Sequence, residues 1–309
     1  MSRKFKFIVL SAISVMAAFS CTKQVVVSGE GDAIVVSAGV VTRAGYSGTE
    51  VIPEEFVMDI LQNADPKYDY TTVHMKKADG GNIYTPKSGE SMVWAGNIYD
   101  NVQVKAMTLP YGMETINADE VMSVAVSTDQ TTEAEVLGSD LLAATTDASD
   151  VTISDGVVKI EFGHLFSKLE VKYVVGSGLT PSDVTINSAV LENACIKGGY
   201  SYQTMSFDNS VDNEMGSISM YHDASANLLE AIIVPYVPAT YPRLVVNATI
   251  SGKETVLVCS VVPNDANGFI TGKRYKLNAT ITSGSISMNS VGISAGWDTD
   301  TDEKNFDTI

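Results

Sequence analysis

The sequence is poor in cysteine, histidine and positive charge, and each shortage excludes a class of protein. Three cysteines and three histidines among 309 residues are too few for a disulfide framework or a series of zinc motifs. Acidic side chains outnumber basic ones by 37 to 20, so the formal net charge is −17. Such a surface repels nucleic acid and anionic membrane faces. The composition therefore predicts no nucleic-acid partner, and it indicates no metal or other cofactor.

Long apolar runs are also scarce, and the one at the N-terminus has the features of a lipoprotein signal peptide. Three basic residues precede an apolar stretch over residues 7–20 that is too short to span a bilayer comfortably. Ala-Phe-Ser at 18–20 then precedes Cys21, a loose match to a lipobox. We expect residues 1–20 to be a signal peptide and Cys21 to carry acyl chains such as palmitate. Two or more chains make membrane attachment stable. The alternative is a plain signal peptide cut near Ser20.

What the sequence has in abundance is alternation with period 2, rich in Val, Ile, Thr and Tyr and interrupted by Gly, Asn, Asp and Pro. This pattern is typical of half-buried strands in sandwich sheets. Two segments favour helices instead: residues 53–64, with Pro53 in the first turn, and residues 140–148. The sequence predicts a mainly β fold of two antiparallel β-sandwich domains. The polar stretch 145–156 places the boundary between a domain at 44–150 and one at 151–309.

Residues 140–175 resemble the fimbrillin family, the type V pilins of Bacteroidales. The shared features are an acidic-Leu-Leu segment, a strand that ends in Phe, a His, and a Ser-Lys-Leu triplet. In this sequence they are Asp140, Leu141 and Leu142; Phe162; His164; and Ser167, Lys168 and Leu169. Residues 231–238, residues 268–281 and a late strand that reaches Trp297 extend the resemblance over most of residues 44–297. It implies transthyretin-like sandwiches and assembly into surface fimbriae.

The resemblance gives a role to the segment between Cys21 and Arg43. In the family, a lipoprotein precursor is cut after an arginine by an arginine-specific protease, which releases the lipid anchor together with the first strand. Arg43 is the only arginine between Arg3 and Arg243, and it follows the alternating residues Ile34, Val36, Ala38 and Val40. The resemblance thus implies cleavage between Arg43 and Ala44, with residues 21–43 as a propeptide. The alternative is that Arg43 is a surface residue on a linker.

The family places a donor strand at the C-terminal end, and residues 285–297 have the matching alternation. Because a head-to-tail contact does not close on itself, donation would generate an open filament. The alternation changes register at Asn289-Ser290, which predicts a bulge or turn there. The alternative is an ordinary last strand paired within its own domain. The proposed donor side chains are Ile286, Met288, Val291, Ile293, Ala295 and Trp297.

No catalytic site is indicated. Residues 292–296 match the pattern G-x-S-x-G, but all three histidines lie upstream, whereas a nucleophile elbow needs its histidine downstream. His164 is expected to be a hydrogen-bonded structural residue. Two readings of Cys195 and Cys259 stay open: a disulfide, or two isolated thiols in the core.

Three functional hypotheses follow: a polymerising pilin at the cell surface, a lipid-retaining anchor, tip subunit or surface binding lipoprotein of the same fold, and a secreted hydrolase. The first explains the leader, the lone arginine and the alternating late segment together. A fimbria would meet a host or bacterial surface ligand. Tyrosines in the loops 78–90 and 198–210 would then stack on sugars, or else they pack on their own sheets.

Overall fold

A computed structural model describes residues 31–40, 53–62, 66–79, 81–96, 101–208, 210–263, 265–294 and 297. Within these ranges the chain forms strands, one short α-helix and 3-10 helices at Pro66–Tyr68, Thr146–Ala148 and Pro181–Asp183, so the prediction of a mainly β protein is confirmed. None of the described helices is long and apolar enough to cross a membrane. The elements are β1 (Val35–Val40), β2 (Glu55–Gln62), β3 (Tyr70–Lys77), β4 (Ile83–Pro86), β5 (Val102–Met107), β6 (Val121–Ala125), α1 (Glu133–Gly138), β7 (Leu142–Thr145), β8 (Val151–Ser154), β9 (Val157–His164), β10 (Ser167–Val175), β11 (Val184–Ser201), β12 (Ser206–Asp208), β13 (Glu214–Ser219), β14 (Tyr221–Asp223), β15 (Leu228–Ile233), β16 (Arg243–Ile250), β17 (Lys253–Ser260), β18 (Arg274–Ile281) and β19 (Ile286–Ser294).

The first sheet closes on itself. Its strands follow the order β1-β4-β3-β2-β5-β7-β9, and β9 pairs with β1 in turn, while β8 pairs with β9 beside β7. We call this closed sheet the ring. In its interior Phe56 packs against both Tyr84 and Phe162, with aromatic centroids 4.7 Å and 5.2 Å away. Alternate inward side chains fill the core, as period 2 requires.

The rest of the chain forms a sandwich of two sheets. One sheet has the order β14-β15-β10-β18-β19, and the other has the order β12-β11-β16-β17, with β13 and β6 also paired to β11. Inward residues of both sheets share one core, which includes Leu169 and Leu277 from the first and Leu191 and Val246 from the second. The transthyretin-like assignment stays a prediction.

The sequence predicted antiparallel sheets, but two pairs of strands are parallel. Strand β1 runs parallel to β9, and β10 runs parallel to β18. Alternation with period 2 shows which residues face the core, but it is the same in parallel and antiparallel strands. Strand direction is therefore decided by the long connections between paired strands, which the pattern does not reveal.

The boundary predicted between residues 150 and 151 does not coincide with the division between the ring and the sandwich. Strands β8 and β9 lie after residue 150 yet pair within the ring. Conversely, β6 pairs with β11, and Val136 of α1 lies in the sandwich core. The chain thus enters the sandwich over residues 113–141, returns to the ring, and leaves it for good after His164. A polar stretch marks a loop, but both sides of this loop belong to the same sheet.

The predicted helix at residues 53–64 is wrong, because this segment forms β2. Phe56, Met58 and Ile60 alternate into the ring core, and Val57 between them is also buried. Strand β2 lies between β3 and β5, so it is hydrogen-bonded along both edges. Early acids and Pro53 suit a helix start, but the local preference is weak and tertiary pairing overrides it.

The second predicted helix, at residues 140–148, is also wrong. It consists of β7 followed by a 3-10 turn at Thr146–Ala148. The α-helix lies just before it, and a capping box starts it: the Thr132 hydroxyl accepts from the Glu135 N–H, and the Glu135 carboxylate accepts from the Thr132 N–H. The motif T-x-x-E was readable in the sequence.

Both sandwich cysteines are free thiols, so the isolated-thiol reading holds in this structure. Cys195 is fully buried and donates to the Lys197 carbonyl at 3.3 Å, and burial raises the pKa of each thiol to about 11. We expect neither thiol to react appreciably with a disulfide reagent at pH 7 in the native protein, because the thiolate is the nucleophile. Stoichiometric labelling should need denaturant, and a reducing agent should leave the melting temperature unchanged. Rapid native labelling of Cys195 would contradict the burial.

Candidate assembly site

The first strand completes the ring and lies between two partners. β1 pairs antiparallel with β4, with Val36 opposite Tyr84, and parallel with β9, with Val35 opposite Val157 and Val40 opposite Phe162. The chain just before β1 is bonded as well, because the Ile34 N–H donates to the Met92 carbonyl at 2.8 Å. Backbone hydrogen bonds therefore hold β1 along both edges, and they hold residues 31–34 along one edge, against the segment at 92–94.

The inward side chains of this segment are part of the ring core. Ile34, Val36 and Ala38 are 8%, 0% and 4% exposed, which confirms the predicted shared face for these three residues. The side chain of Val40 lies outside the described residues. Because Val36 contributes to the same core as Phe56 and Phe162, β1 is a structural strand of the ring.

Both walls that flank β1 are held independently of it. β4 is paired with β3 on its other edge, and β9 is paired there with β7 and β8. The buried Gln62 side chain fixes the segment that faces residues 31–34: its amide donates to the Val93 carbonyl at 3.0 Å and accepts from the Ala95 N–H at 2.8 Å. If β1 left, the ring would contain an apolar groove with unpaired backbone groups on both rims. Such a groove is costly until another strand fills it.

The proposed lipidation site, Cys21, and the proposed cleavage site, Arg43 and Ala44, lie outside the described residues. β1 ends at Val40, three positions before Arg43. A cut after Arg43 would therefore leave the whole of β1 on the released side of the chain.

The proposed donor segment is paired within its own sheet. β19 pairs antiparallel with β18. Ile286 lies opposite Ile281 at one end of the pairing, and Ser294 lies opposite Arg274 at the other. Ile286 is buried, Met288 and Val291 are partly buried against the sandwich core, and Ile293 is 36% exposed. The isolated chain thus has the ordinary last strand that the sequence left open as the alternative. Ala295 lies outside the described residues.

The predicted change of register is confirmed as a bulge. Ser290 lies opposite Asn278 and Met288 lies opposite Ala279, so Asn289 is the extra residue on β19. A bulge reverses which alternate residues face inward. It explains why Ile286 and Met288 follow one register and Val291 and Ile293 the other.

Trp297 is buried where the ring meets the sandwich. Its indole stacks on the imidazole of His164, with centroids 3.9 Å apart and 8° between the planes. His164 is the last residue of β9, and its Nδ1 lies 2.6 Å from a carboxylate oxygen of Asp140. The expected structural role of His164 fits this geometry. Gly272, at φ +68°, lets the loop before β18 approach the His164 carbonyl, where a Cβ would lie only 2.7 Å from the oxygen.

A buried charge cluster lies beside this stack, on the outer side of β10, β15 and β18. Lys168 is fully buried, and its ammonium lies 2.9 Å from a Glu170 oxygen and 2.7 Å from a Glu230 oxygen. Arg274 approaches Glu170 at 3.7 Å. Burial raises the pKa of the Glu230 carboxyl, against the opposite effect of the neighbouring Lys168 ammonium. The Lys168 Nζ also lies 5.9 Å from the centroid of the Trp297 ring.

Sequence reasoning identified His164, Lys168 and Trp297 as parts of a pattern but missed the cluster that joins them. Lys168 and Glu170 alternate with Leu169 and Val171, so they occupy the positions of a solvent-facing strand surface. Nothing in the alternation distinguishes a covered outer face from an exposed one. Glu230 carries no sequence signal.

The tyrosines in the loops 78–90 and 198–210 pack inward. Tyr84, Tyr200 and Tyr202 are each no more than 1% exposed. The Tyr84 hydroxyl donates to the Pro53 carbonyl, and the Tyr202 hydroxyl donates to the Lys105 carbonyl. Their ring faces are therefore unavailable for stacking on a sugar.

The described residues do not assemble the parts of an enzyme site. Ser294 lies on a strand, whereas a nucleophile elbow needs a strand-turn-helix setting. His222 lies 2.8 Å from the Tyr173 hydroxyl, and His164 lies 2.6 Å from a carboxylate oxygen of Asp140. Over the part of the chain that the structure describes, no three potential metal ligands lie together.

Comparison with solved structures shows which fold this arrangement belongs to. A protein from Bacteroides uniformis, provisionally assigned to cell adhesion, is similar with a TM-score of 0.60 at 17% identity, over 86% of this chain and 99% of that one. A similarly assigned protein from Bacteroides ovatus has a TM-score of 0.60 at 12% identity, over 85% and 97%. At these identities the likeness shows a shared fold. A search of curated proteins finds no significant match.

The sequence model of one family, described as fimbrillin-like, matches residues 31–295. The chain therefore belongs to the fimbrillin-like family, and the resemblance drawn from its motifs is confirmed. Membership supports a pilin-like or adhesin-like role at the cell surface, in association with other fimbrial subunits. It also points to a structural rather than an enzymatic protein.

Proposed function

We propose that the chain is a pilin that becomes competent to polymerise when it loses its first strand. It is exported as a lipoprotein acylated at Cys21 and held at the outer membrane. An arginine-specific protease then cuts between Arg43 and Ala44. Residues 285–297 of a neighbouring subunit fill the groove that β1 leaves, and repetition of this head-to-tail contact forms the fimbria.

The observation that carries the proposal is the position of β1. It is a core strand with a partner on each edge, and it ends three positions before Arg43, where a cut would remove it. The groove walls β4 and β9 are held by their own outer neighbours β3, β7 and β8, so the acceptor is organised before a donor arrives. Alternate apolar residues in the donor segment match the alternate pockets of Ile34, Val36 and Ala38.

A second candidate is a lipoprotein of the same fold that keeps β1 and serves as a pilus anchor, a tip subunit or a surface binding module. One observation favours it: in the uncut chain the ring is closed and β19 is paired within its own sheet, so neither a donor nor an acceptor is open. In this case Cys21 stays attached to the outer membrane and Arg43 is not cut.

Intact mass spectrometry of protein from the native cell surface distinguishes the two candidates. The pilin is expected to begin at Ala44 without lipid and to occur in high-mass assemblies. A chain that begins at acylated Cys21 would exclude processing and favour the anchor. An Arg43→Ala variant should retain its lipid and fail to assemble. The matched control, Lys23→Ala, should be cut and should assemble as the parent does.

A further inference from the structure

The apolar side chains in the second half of β19 are poorly buried. After the bulge at Asn289, Val291 is only partly buried and Ile293 is 36% exposed. Trp297, three positions beyond the last residue of the strand, is 1% exposed. Among the described residues after the bulge, the most deeply buried apolar side chain is therefore Trp297, which lies beyond the strand itself.

The contact that holds Trp297 is specific although it is not polar. The indole N–H has no hydrogen-bond partner among the described residues. What orients the ring is the nearly parallel stack on His164, whose imidazole is itself fixed by Asp140. The side chains of His164 and Asp140 are 7% and 9% exposed, so the stack lies in a desolvated place where aromatic contacts have their full strength.

The same stack joins two parts of the fold. His164 ends β9 of the ring, and Asp140 comes directly before the ring strand β7. Trp297 follows β19, the edge strand of the five-stranded sandwich sheet. Its indole thus fastens the end of a sandwich strand to the ring. The Lys168 ammonium of the buried charge cluster also lies 5.9 Å from the indole centroid, so withdrawal of the indole would uncover charges that gain by hydration.

We propose that Trp297, His164 and Asp140 form a latch that keeps the second half of β19 paired with β18 in the isolated chain. The loss of aromatic burial opposes release of the latch. Hydration of the Lys168 cluster partly compensates this loss, which makes the latch reversible. The latch is a property of the single chain; its effect on assembly, where it retards donation of residues 285–297, rests on the proposed function.

Hydrogen exchange on the full chain tests the latch directly. In Trp297→Ala, amides of residues 290–294 should exchange at least tenfold faster, while those of residues 286–288 and of β16 keep their parent rates. Ile293→Ala is the matched control, since it removes an apolar side chain from the same strand without touching the latch, and it should change these rates by less than threefold. Uniform acceleration across the sandwich, or unchanged rates at 290–294, would overturn the proposal.

A second variant tests whether the stack on His164, and not only burial of the indole, holds Trp297. His164→Leu places an apolar side chain beside the indole but removes the aromatic partner and the bond to Asp140. The chain has two tryptophans, so fluorotryptophan labelling gives two fluorine resonances, which Trp297→Phe assigns. In His164→Leu the Trp297 resonance should shift, that of Trp94 should not, and exchange at 290–294 should rise as in Trp297→Ala. An unmoved Trp297 resonance would contradict the stack.

Assembly assays show whether failure lies in the latch or in the proposed function. After cleavage at Arg43, Trp297→Ala should polymerise faster than the parent at equal concentration. If both polymerise equally, the latch does not limit donation. If neither polymerises, the proposed function fails, and the exchange result alone decides whether the latch exists.

Discussion

A chain that begins at Ala44 is expected to lose more than about 5 kcal/mol of folding free energy relative to one that retains residues 21–43. Full burial of Ile34 and Val36 contributes ~1.5–3 kcal/mol each. The hydrogen bonds to β4 and β9 add about 1 kcal/mol apiece. Since typical domains are stable by only ~5–15 kcal/mol, the truncated monomer should be marginally folded. Denaturant unfolding of both forms at low concentration measures the difference.

A peptide of residues 31–43 added in trans should restore most of this stability, because a ligand that binds only the folded state shifts the equilibrium by mass action. A peptide with Val36→Asp should not, since it would bury an unpaired carboxylate in the ring core. A peptide with Val35→Asp is the matched control, because Val35 lies on the opposite face and is only partly buried. A truncated monomer as stable as the long chain would exclude β1 as the removable strand.

Replacement of Lys168 by Met is expected to destabilise the protein by about 3–5 kcal/mol, because it leaves the buried Glu230 without its cation. Lys172→Met is the matched control. It lies on the same strand and face but is exposed, so its effect should stay within about 0.5 kcal/mol. Addition of Glu230→Gln to Lys168→Met should recover part of the loss. Equal effects of the two lysine variants would contradict the buried cluster.

The pH dependence of Lys168→Met has a definite sign. Burial raises the pKa of the Glu230 carboxyl, and removal of the Lys168 ammonium removes the main opposing influence. The folded state then holds its proton more tightly than the unfolded chain does, so stability is gained as the pH falls toward the unfolded pKa. We expect the deficit of Lys168→Met relative to the parent to shrink between pH 7 and pH 5, as measured by denaturant unfolding. A deficit that grows on acidification would be inconsistent with an uncompensated Glu230.

The helix predicted over residues 53–64 shows where local reasoning fails. Pro53, the early acids and Phe56 with Ile60 satisfy helix rules, but the same residues read equally well as a strand buried on both faces. The ring closes only if a strand lies between β3 and β5. This long-range pairing decides that the segment is a strand, and it is not visible in the local sequence. The α-helix at Glu133–Gly138 was missed for the opposite reason: it is one and a half turns long, too short for periodicity, although its capping box was readable.

The sequence by itself determined the mainly β class, the inward face of residues 34–38, the bulge in β19 and the family. Each of these depends on alternation or on motif order along the chain, which are local. Only the tertiary structure decided that β1 closes a ring, that residues 113–141 enter the sandwich, and that Lys168 and Glu230 are buried beside Trp297 and His164. These depend on which segments meet, and period 2 describes the two faces of a strand without saying what covers either of them.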